Sequence, residues 1–269
     1  PNVNVSATAS HPDGRSGNAA ISGSVQANPE VPLVDSGGVV SAASFAFPAA
    51  PSNGEMVSIF GVKLADGSEA ATLLPLKTQM QGATLMVAGR TLPLLFTSEH
   101  QVNAILPYDV AISASQQLIV RKDNRLAVPE PLRIVSAEPA IFTVDQSGKG
   151  QGHVYVFPTA DQQILADSQH PAKAGDAIVI YCEGLGPVNP PVEAGGAVPS
   201  DVLRTTANAV NVTIGGQRAP VVFAGLTPGF AGLYQVNATV PQGVPVGDQI
   251  PVVLTAGTFA SLPVTIAVR

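Results

Sequence analysis

The sequence predicts an all-β protein with two tandem immunoglobulin-like β-sandwich domains and an extended N-terminal β arm. Short apolar runs recur at ~8–15 residue spacing, with Gly, Pro, Asn and Asp between them and no convincing run of helical period. Several motifs of the first half return in the same order in the second half. The length of 269 residues also suits about two domains.

The repeat covers whole modules rather than one short motif. Three segments correspond in order: 54–60 (GEMVSIF) with 175–181 (GDAIVIY), 89–96 (GRTLPLLF) with 216–223 (GQRAPVVF), and 101–107 (QVNAILP) with 235–241 (QVNATVP). A protein seldom needs the same catalytic site twice. Duplication of a module therefore favours spacing, binding or assembly over catalysis.

Residues 1–38 belong to neither copy and are predicted to form the arm. Small apolar and small polar residues alternate over 3–10 and 20–27, which is strand spacing, and turn residues lie between them. We expect both segments to pair with a sheet edge, either of the chain's own domains or of a neighbouring subunit. The residues expected to make these assembly contacts are Val3, Val5, Ala7, Ala9, Ile21 and Val25.

The two predicted sandwiches are residues 39–143 and 144–269. Proline-rich loops at 64–82 and 184–207 interrupt the copies and are either functional, packed on a partner, or plain linkers. The predicted strands are 56–60, 84–87, 92–96, 101–106, 117–121 and 132–136 in the first copy, and 154–157, 177–181, 209–214, 219–224, 233–240, 251–256 and 261–268 in the second.

Composition limits the classes of partner. Charged residues make up 12% of the chain, about half the usual share, and the net charge is −6. Without a Lys/Arg cluster, we expect no nucleic acid partner. No apolar run reaches the ~18 residues of a membrane helix, so we expect no membrane span. Low charge and many Gly, Pro, Ser and Thr fit an extracellular or cell-surface β-protein.

Residues with reactive side chains are dispersed. The four histidines lack zinc spacing, no calcium loop is present, and Cys182 lies in an apolar run as a buried hydrophobe. We therefore expect no catalytic residue, metal or cofactor, although Asp and Glu pairs distant in sequence can meet in space. We expect the amides of Asn103 and Asn237 to bond loop backbone in both copies.

A carbohydrate platform needs exposed aromatic rings, and this chain has no Trp, four Tyr and nine Phe. The best exposed candidates for a ligand platform are Phe230 and Tyr234.

Several motifs resemble a known family over roughly residues 39–269. They are 40–45 (VSAASF), 57–61 (VSIFG), 101–103 (QVN), 140–142 (AIF), 148–152 (GKGQG), 184–187 (GLGP), 223–229 (FAGLTPG) and 232–237 (GLYQVN). In this order they resemble the Solibacter-type C-terminal domain of large secreted acidobacterial proteins. The resemblance implies export and immunoglobulin-like modules of the IPT/TIG type. The family has no established activity, so the resemblance assigns no catalytic or binding residue to this chain.

These observations together predict a non-enzymatic, secreted structural protein. In its sharper form the hypothesis is a self-assembling surface or filament subunit, a homo-oligomer or polymer joined by strand addition of the arm. The alternative is a carbohydrate- or surface-binding module of a larger secreted protein, with a polysaccharide as partner.

Overall fold

A computed structural model of the chain describes residues 2–10, 12–24, 30–46, 50–112, 115–159 and 162–269. These residues form strands, turns and loops, without any helix. In particular, no helix long and apolar enough to cross a membrane occurs among them. The chain divides into two compact units, Pro1–Val31 and Pro32–Arg269. The predicted all-β class, with two β-sandwiches and an N-terminal β arm, is confirmed.

The first unit is a hairpin of β1 (Asn2–Ser10) and β2 (Ser16–Ser24), paired antiparallel as a two-stranded sheet. Asp13 and Arg15 form an ion pair in its turn. The register sets Val5 opposite Ile21 and Ala7 opposite Ala19. The two arm strands therefore pair with each other, and strand addition to another sheet edge stays a prediction.

The first sandwich packs the sheet β3-β4-β9-β8-β5 against the sheet β11-β10-β6-β7, in which β12 also pairs with β10. Its core contains residues of both sheets, such as Ile59 and Val102 from one and Leu85 and Val120 from the other. The strands are β3 (Leu33–Ser41), β4 (Met56–Val62), β5 (Glu69–Ala70), β6 (Ala83–Val87), β7 (Arg90–Thr91), β8 (Leu94–Thr97), β9 (Gln101–Ile105), β10 (Ser115–Lys122), β11 (Arg125–Leu126) and β12 (Glu130–Arg133).

The second sandwich packs the sheet β15-β14-β16-β22-β21-β18-β17 against β20-β19-β23-β24, with β13 pairing β16 and β25 pairing β23. The strands are β13 (Ala140–Ile141), β14 (Val154–Thr159), β15 (Gln162–Leu165), β16 (Ala177–Glu183), β17 (Val188–Asn189), β18 (Thr205–Thr206), β19 (Val210–Ile214), β20 (Gln217–Ala219), β21 (Val221–Leu226), β22 (Tyr234–Thr239), β23 (Gly247–Ala256), β24 (Phe259–Ala260) and β25 (Val264–Val268).

The two sandwiches share a strand order. The order β4-β9-β8-β5 in the first corresponds to β16-β22-β21-β18 in the second, and β11-β10-β6-β7 corresponds to β24-β23-β19-β20. The position of a register shift repeats as well: it comes just before Phe96 in β8 and just before Phe223 in β21. After the shift Phe96 pairs with Asn103, and Phe223 pairs with Asn237.

Strand β3 lies outside the predicted strands, because its Gly37 and Gly38 are equally typical of a linker in sequence. In the structure the pair forms a bulge, since the register between β3 and β4 shifts between Val34 and Val39. A Cβ at Gly38 would lie 2.6 Å from the Phe60 carbonyl oxygen, so this strand needs glycine there.

Contacts join the two sandwiches within the second unit. In the long loops, the Leu76 amide donates to the Gly195 carbonyl over 2.8 Å. Strand β13 precedes the predicted boundary at residue 143 but pairs with β16 of the second sandwich. Tyr108, from the first half, belongs to the hydrophobic core of the second. The division at 143 stays a prediction about independent folding.

Candidate functional site

The outer face of the second sandwich presents a row of aromatic rings. On β14 the chain alternates, so Val154 and Val156 are buried while Tyr155 between them faces outward. The Tyr155 and His153 ring centroids are 5.9 Å apart with near-parallel planes, and Tyr155 meets Tyr181 of β16 edge-on at 5.7 Å. Such pairs hold rings in fixed orientations.

Hydrogen bonds fix these rings further, and burial favours the uncharged forms of His153 and Tyr155. His153 Nδ1 lies 2.8 Å from the Tyr155 hydroxyl, and Gln163 Nε2 donates to the Tyr181 hydroxyl over 3.1 Å. Partial burial lowers the pKa of His153, which favours the neutral imidazole at pH 7. Burial, and then the neighbouring Tyr181, raises the pKa of Tyr155, so this phenol keeps its proton.

The opposite wall comes from the first sandwich. There Gln101 Nε2 donates to Asn103 Oδ1 over 2.8 Å on β9. Phe45 lies beside Phe60, with ring centroids 6.4 Å apart. This wall therefore combines an oriented amide pair with an aromatic ring.

The two walls line an open cleft of about 660 Å³ between the sandwiches. Its described lining residues include no Asp, Glu, Lys or Arg. A cleft of this size lies within the usual ligand-site range of about 300–1,000 Å³. The residues that give it its chemistry are Phe45, Gln101, Asn103, Tyr155, Tyr181 and Phe230.

The structure separates the two residues predicted as a ligand platform. Phe230 is 54% exposed and lines the cleft. Tyr234 is 0% exposed, and its hydroxyl donates to the Gly186 carbonyl over 2.6 Å. The prediction of an exposed ring was therefore wrong for Tyr234, because β22 alternates and this side chain points into the core.

The predicted assembly residues share one face of the hairpin as far as they are described. Val5 is 58% exposed and its cross-strand neighbour Ile21 is 70% exposed. Ala7 and Ala9 are also exposed and follow on the same face. For Val3 only the backbone is described, within β1, and Val25 lies outside the described residues.

The repeated Gln–Val–Asn motif behaves differently from expectation. Among the hydrogen bonds of the described residues, Gln101 donates to Asn103 over 2.8 Å and Gln235 donates to Asn237 over 3.0 Å. The bonds thus join the two amides along the strand surface rather than an amide and a loop. One glutamine oxygen and one asparagine NH2 remain in each copy to contact a ligand.

A buried carboxylate cluster lies at the junction of the sandwiches. Glu183 Oε1 accepts from the Ser41 hydroxyl at 2.6 Å and from the Ala43 amide at 2.9 Å, which ties β16 to the first sandwich. Glu55 Oε2 accepts from the Ser52 amide at 2.7 Å and is fully buried. Glu138 completes the cluster, and one oxygen of each carboxylate is buried without a hydrogen-bond partner.

This environment favours the protonated form of these carboxyl groups. Burial, followed by the proximity of Glu183 and Glu138, raises the pKa of Glu55 well above its usual range. Burial raises the pKa of both Glu138 and Glu183 to about 7. The Glu55 and Glu183 side chains are closed to solvent, so a sugar cannot reach them as it would reach a glycosidase pair.

The turn that places Glu55 is itself duplicated. Asp176 Oδ2 accepts from the Lys173 amide at 2.8 Å, just as Glu55 accepts from the amide three residues before it. Both carboxylates cap the same turn. In the first copy the second sandwich covers the carboxylate, whereas Asp176 stays partly exposed.

The other reactive groups that the structure describes form no site. Cys182 is fully buried, as expected, and burial raises the pKa of its thiol well above the usual range. Over the described ranges, no group of three or more His, Cys, Asp or Glu side chains is placed to hold a metal ion.

The sequence did not single out Tyr155 or Tyr181. The His153–Tyr155 alternation was visible, but facing Gln101 across a cleft is a tertiary property.

Comparisons with known proteins give no match to a family model or a curated sequence, and only weak likenesses to solved structures. Solved structures similar to it include SGBP-B of the Bacteroides ovatus mixed-linkage glucan utilization locus, in complex with a mixed-linkage heptasaccharide. That likeness has a TM-score of 0.38 at 12% identity and covers 100% of this chain and 53% of that one. This chain thus spans about half of that protein's length.

Two further structures show weaker likeness. Domains 5–6 of the S-layer protein SbsC give a TM-score of 0.27 at 15% identity over 88% of this chain and 98% of that one. The I9–I11 tandem from titin gives 0.21 at 9% identity, over 88% of this chain and 65% of that one. At these identities each likeness concerns the fold alone.

Proposed function

We propose that this chain is a secreted, non-enzymatic surface protein that binds an uncharged glycan in the cleft between its two sandwiches. The observation that carries this proposal is the cleft of about 660 Å³, with aromatic rings on one wall and an oriented amide pair on the other. The low charge of the chain supports an extracellular location, as does the resemblance to exported Solibacter-type domains.

The lining chemistry favours a neutral sugar over other ligands. Aromatic faces pack against the apolar faces of sugar rings, while amide and phenol groups bond their hydroxyls. The described lining residues carry no formal charge at neutral pH, so nothing in this wall would pair with a charged ligand. This geometry favours the binding alternative over the filament hypothesis for the body of the protein.

Titration calorimetry of the full chain with soluble β-glucan, α-glucan, mannan and xylan tests the proposal. We expect at least one of these glycans to bind, and Tyr155→Ala and Tyr181→Ala each to weaken binding roughly tenfold, equal to about 1.4 kcal/mol. Phe259→Ala is the matched control, because this half-exposed ring lies on β24 in the opposite sheet. Failure of all four glycans to bind, or wild-type affinity in both tyrosine variants, would overturn it.

A second candidate function, self-association, rests on the hairpin. Val5 and Ile21 lie opposite each other on one face, and both are more than half exposed. A two-stranded hairpin is marginally stable alone, so a second copy that covers this face would stabilise it. We propose that the hairpin joins copies of this chain.

Light scattering on the full chain and on Val5→Ser/Ile21→Ser tests the second candidate. The full chain should form concentration-dependent oligomers, and the double variant should stay monomeric with unchanged glycan affinity. Ser6→Ala/Ser22→Ala alters the other face of the same strands and serves as the control. A monomeric wild-type chain at high concentration would refute self-association without affecting the glycan proposal.

A further inference from the structure

A second groove adjoins the cleft on the outer face of the second sandwich. It has a volume of about 520 Å³ and is lined by Phe157, Val222, Gln235 and Asn237 among others. Tyr181 and Gln163 line both the groove and the cleft. The two depressions therefore form one continuous surface, with the hydrogen-bonded Tyr181–Gln163 pair at the point where they meet.

We propose that the ligand is a linear, uncharged polysaccharide whose chain runs from the cleft across Tyr181 into this second groove. The inference rests on the proposed function and adds the form of the ligand: an extended polymer rather than a single sugar or a chain end. A site closed at one end would select a short ligand, whereas this surface continues on both sides of Tyr181.

The strand pattern places matching groups along this path. Tyr155 and Phe157 are two residues apart on β14, so they share a face, and the first lines the cleft while the second lines the groove. Across the sheet, Val179 pairs with both Tyr155 and Asn237. The Tyr155 ring and the Asn237 amide thus lie in one row across three strands, where a single polysaccharide chain can contact both.

The repeat supplies an independent argument. The Gln101–Asn103 pair lines the cleft, and its counterpart Gln235–Asn237 lines the groove with the same donor and nearly the same distance. A polymer presents the same hydroxyls at regular intervals. Two copies of one oriented amide pair are suited to such a repeating ligand.

The groove also disfavours a peptide. Its floor is a sheet face in which β16 is paired on both sides, with β14 and with β22. No free backbone edge is therefore available there for strand addition by a peptide. No Asp, Glu, Lys or Arg occurs among its described lining residues, which again suits a neutral polymer.

The experiment measures the affinity of the full chain for oligosaccharides of increasing length, prepared from β-glucan, α-glucan, mannan and xylan. Wild-type affinity should rise about tenfold or more between a fragment that fills the cleft and one that fills both depressions, and then level off. Phe157→Ala should abolish that rise while leaving the affinity for the short fragment unchanged. Val222→Arg should do the same by steric obstruction, and this 76% exposed position tolerates the change without disturbing the core.

The outcomes separate the two proposals. If short fragments bind as tightly as long ones, or if both groove variants keep the full rise with length, the extended path is wrong and the cleft proposal stands. If Tyr155→Ala and Tyr181→Ala both leave binding of every fragment unchanged, the cleft proposal itself is wrong. Phe259→Ala should reproduce the wild-type length dependence throughout.

Discussion

Glu183→Gln should remove part of a pH dependence that is built into the junction between the sandwiches. Burial raises the pKa of Glu183 from its ordinary value of 4.5 to about 7. An acid whose pKa is higher in the native state binds its proton more tightly when folded. Its contribution to stability is therefore fully present below about pH 4.5 and is lost as the pH rises through about 7.

The structure sets the size of the effect. A rise from 4.5 to about 7, at about 1.4 kcal/mol per pKa unit, corresponds to about 3 kcal/mol. The glutamine amide keeps the oxygen that accepts from Ser41 and Ala43, and its NH2 faces the remaining carboxylates. The variant should thus match the wild type near pH 4 and exceed its unfolding free energy by about 3 kcal/mol near pH 8.

Urea denaturation of both proteins at a series of pH values measures this difference. Glu193→Gln is the control, because this carboxylate is exposed and lies outside the buried Glu55–Glu138–Glu183 cluster, so it should leave the pH profile unchanged. If Glu183→Gln and wild type lose stability in parallel across this range, Glu183 is not protonated in the native protein. The account of the buried cluster would then be wrong.

Two further predictions concern the same junction. Gly184→Ala should destabilise the protein by about 3 kcal/mol or more, because φ is +74° and a Cβ would lie 1.8 Å from the Glu138 carbonyl oxygen. Gly229→Ala is the control, with φ +83° and no atom within 4 Å of its Cβ, and it should cost about 1 kcal/mol. Equal losses of unfolding free energy for the two variants in urea titrations would contradict the clash at Gly184. Tyr108→Ala should cost about 3–5 kcal/mol by leaving a cavity in the second core. Calorimetry should show one transition for the wild type, and two separate wild-type transitions would disprove a shared core.

Local sequence patterns are sufficient to predict most of the longer strands. Each predicted strand has a counterpart in the structure, because alternation and turn residues are local signals. The paired QVN segments also indicated the equivalence of β9 and β22, and their registers with Phe96 and Phe223 agree. Strand β3 was missed because glycines in a bulge look the same in sequence as glycines in a linker.

Less of the candidate site can be predicted from the sequence. The exposure of Phe230 follows from the turn residues beside it, whereas the burial of Tyr234 depends on which face of β22 this side chain occupies. Glu55, Glu138 and Glu183 are distant in sequence, and only packing of one sandwich on the other brings them together. The cleft has the same origin, since its two walls belong to different halves of the chain.

Tyr108, a first-half residue within the second core, has a mechanical consequence. Tension that pulls the two sandwiches apart acts on a packed ring and on the hydrogen bonds from Ser41 and Ala43 to Glu183, not on a flexible tether. Forced unfolding depends on the barrier to rupture. A protein held at a surface and loaded through a bound polymer would therefore resist as one body, and its cleft would keep its shape until the junction broke.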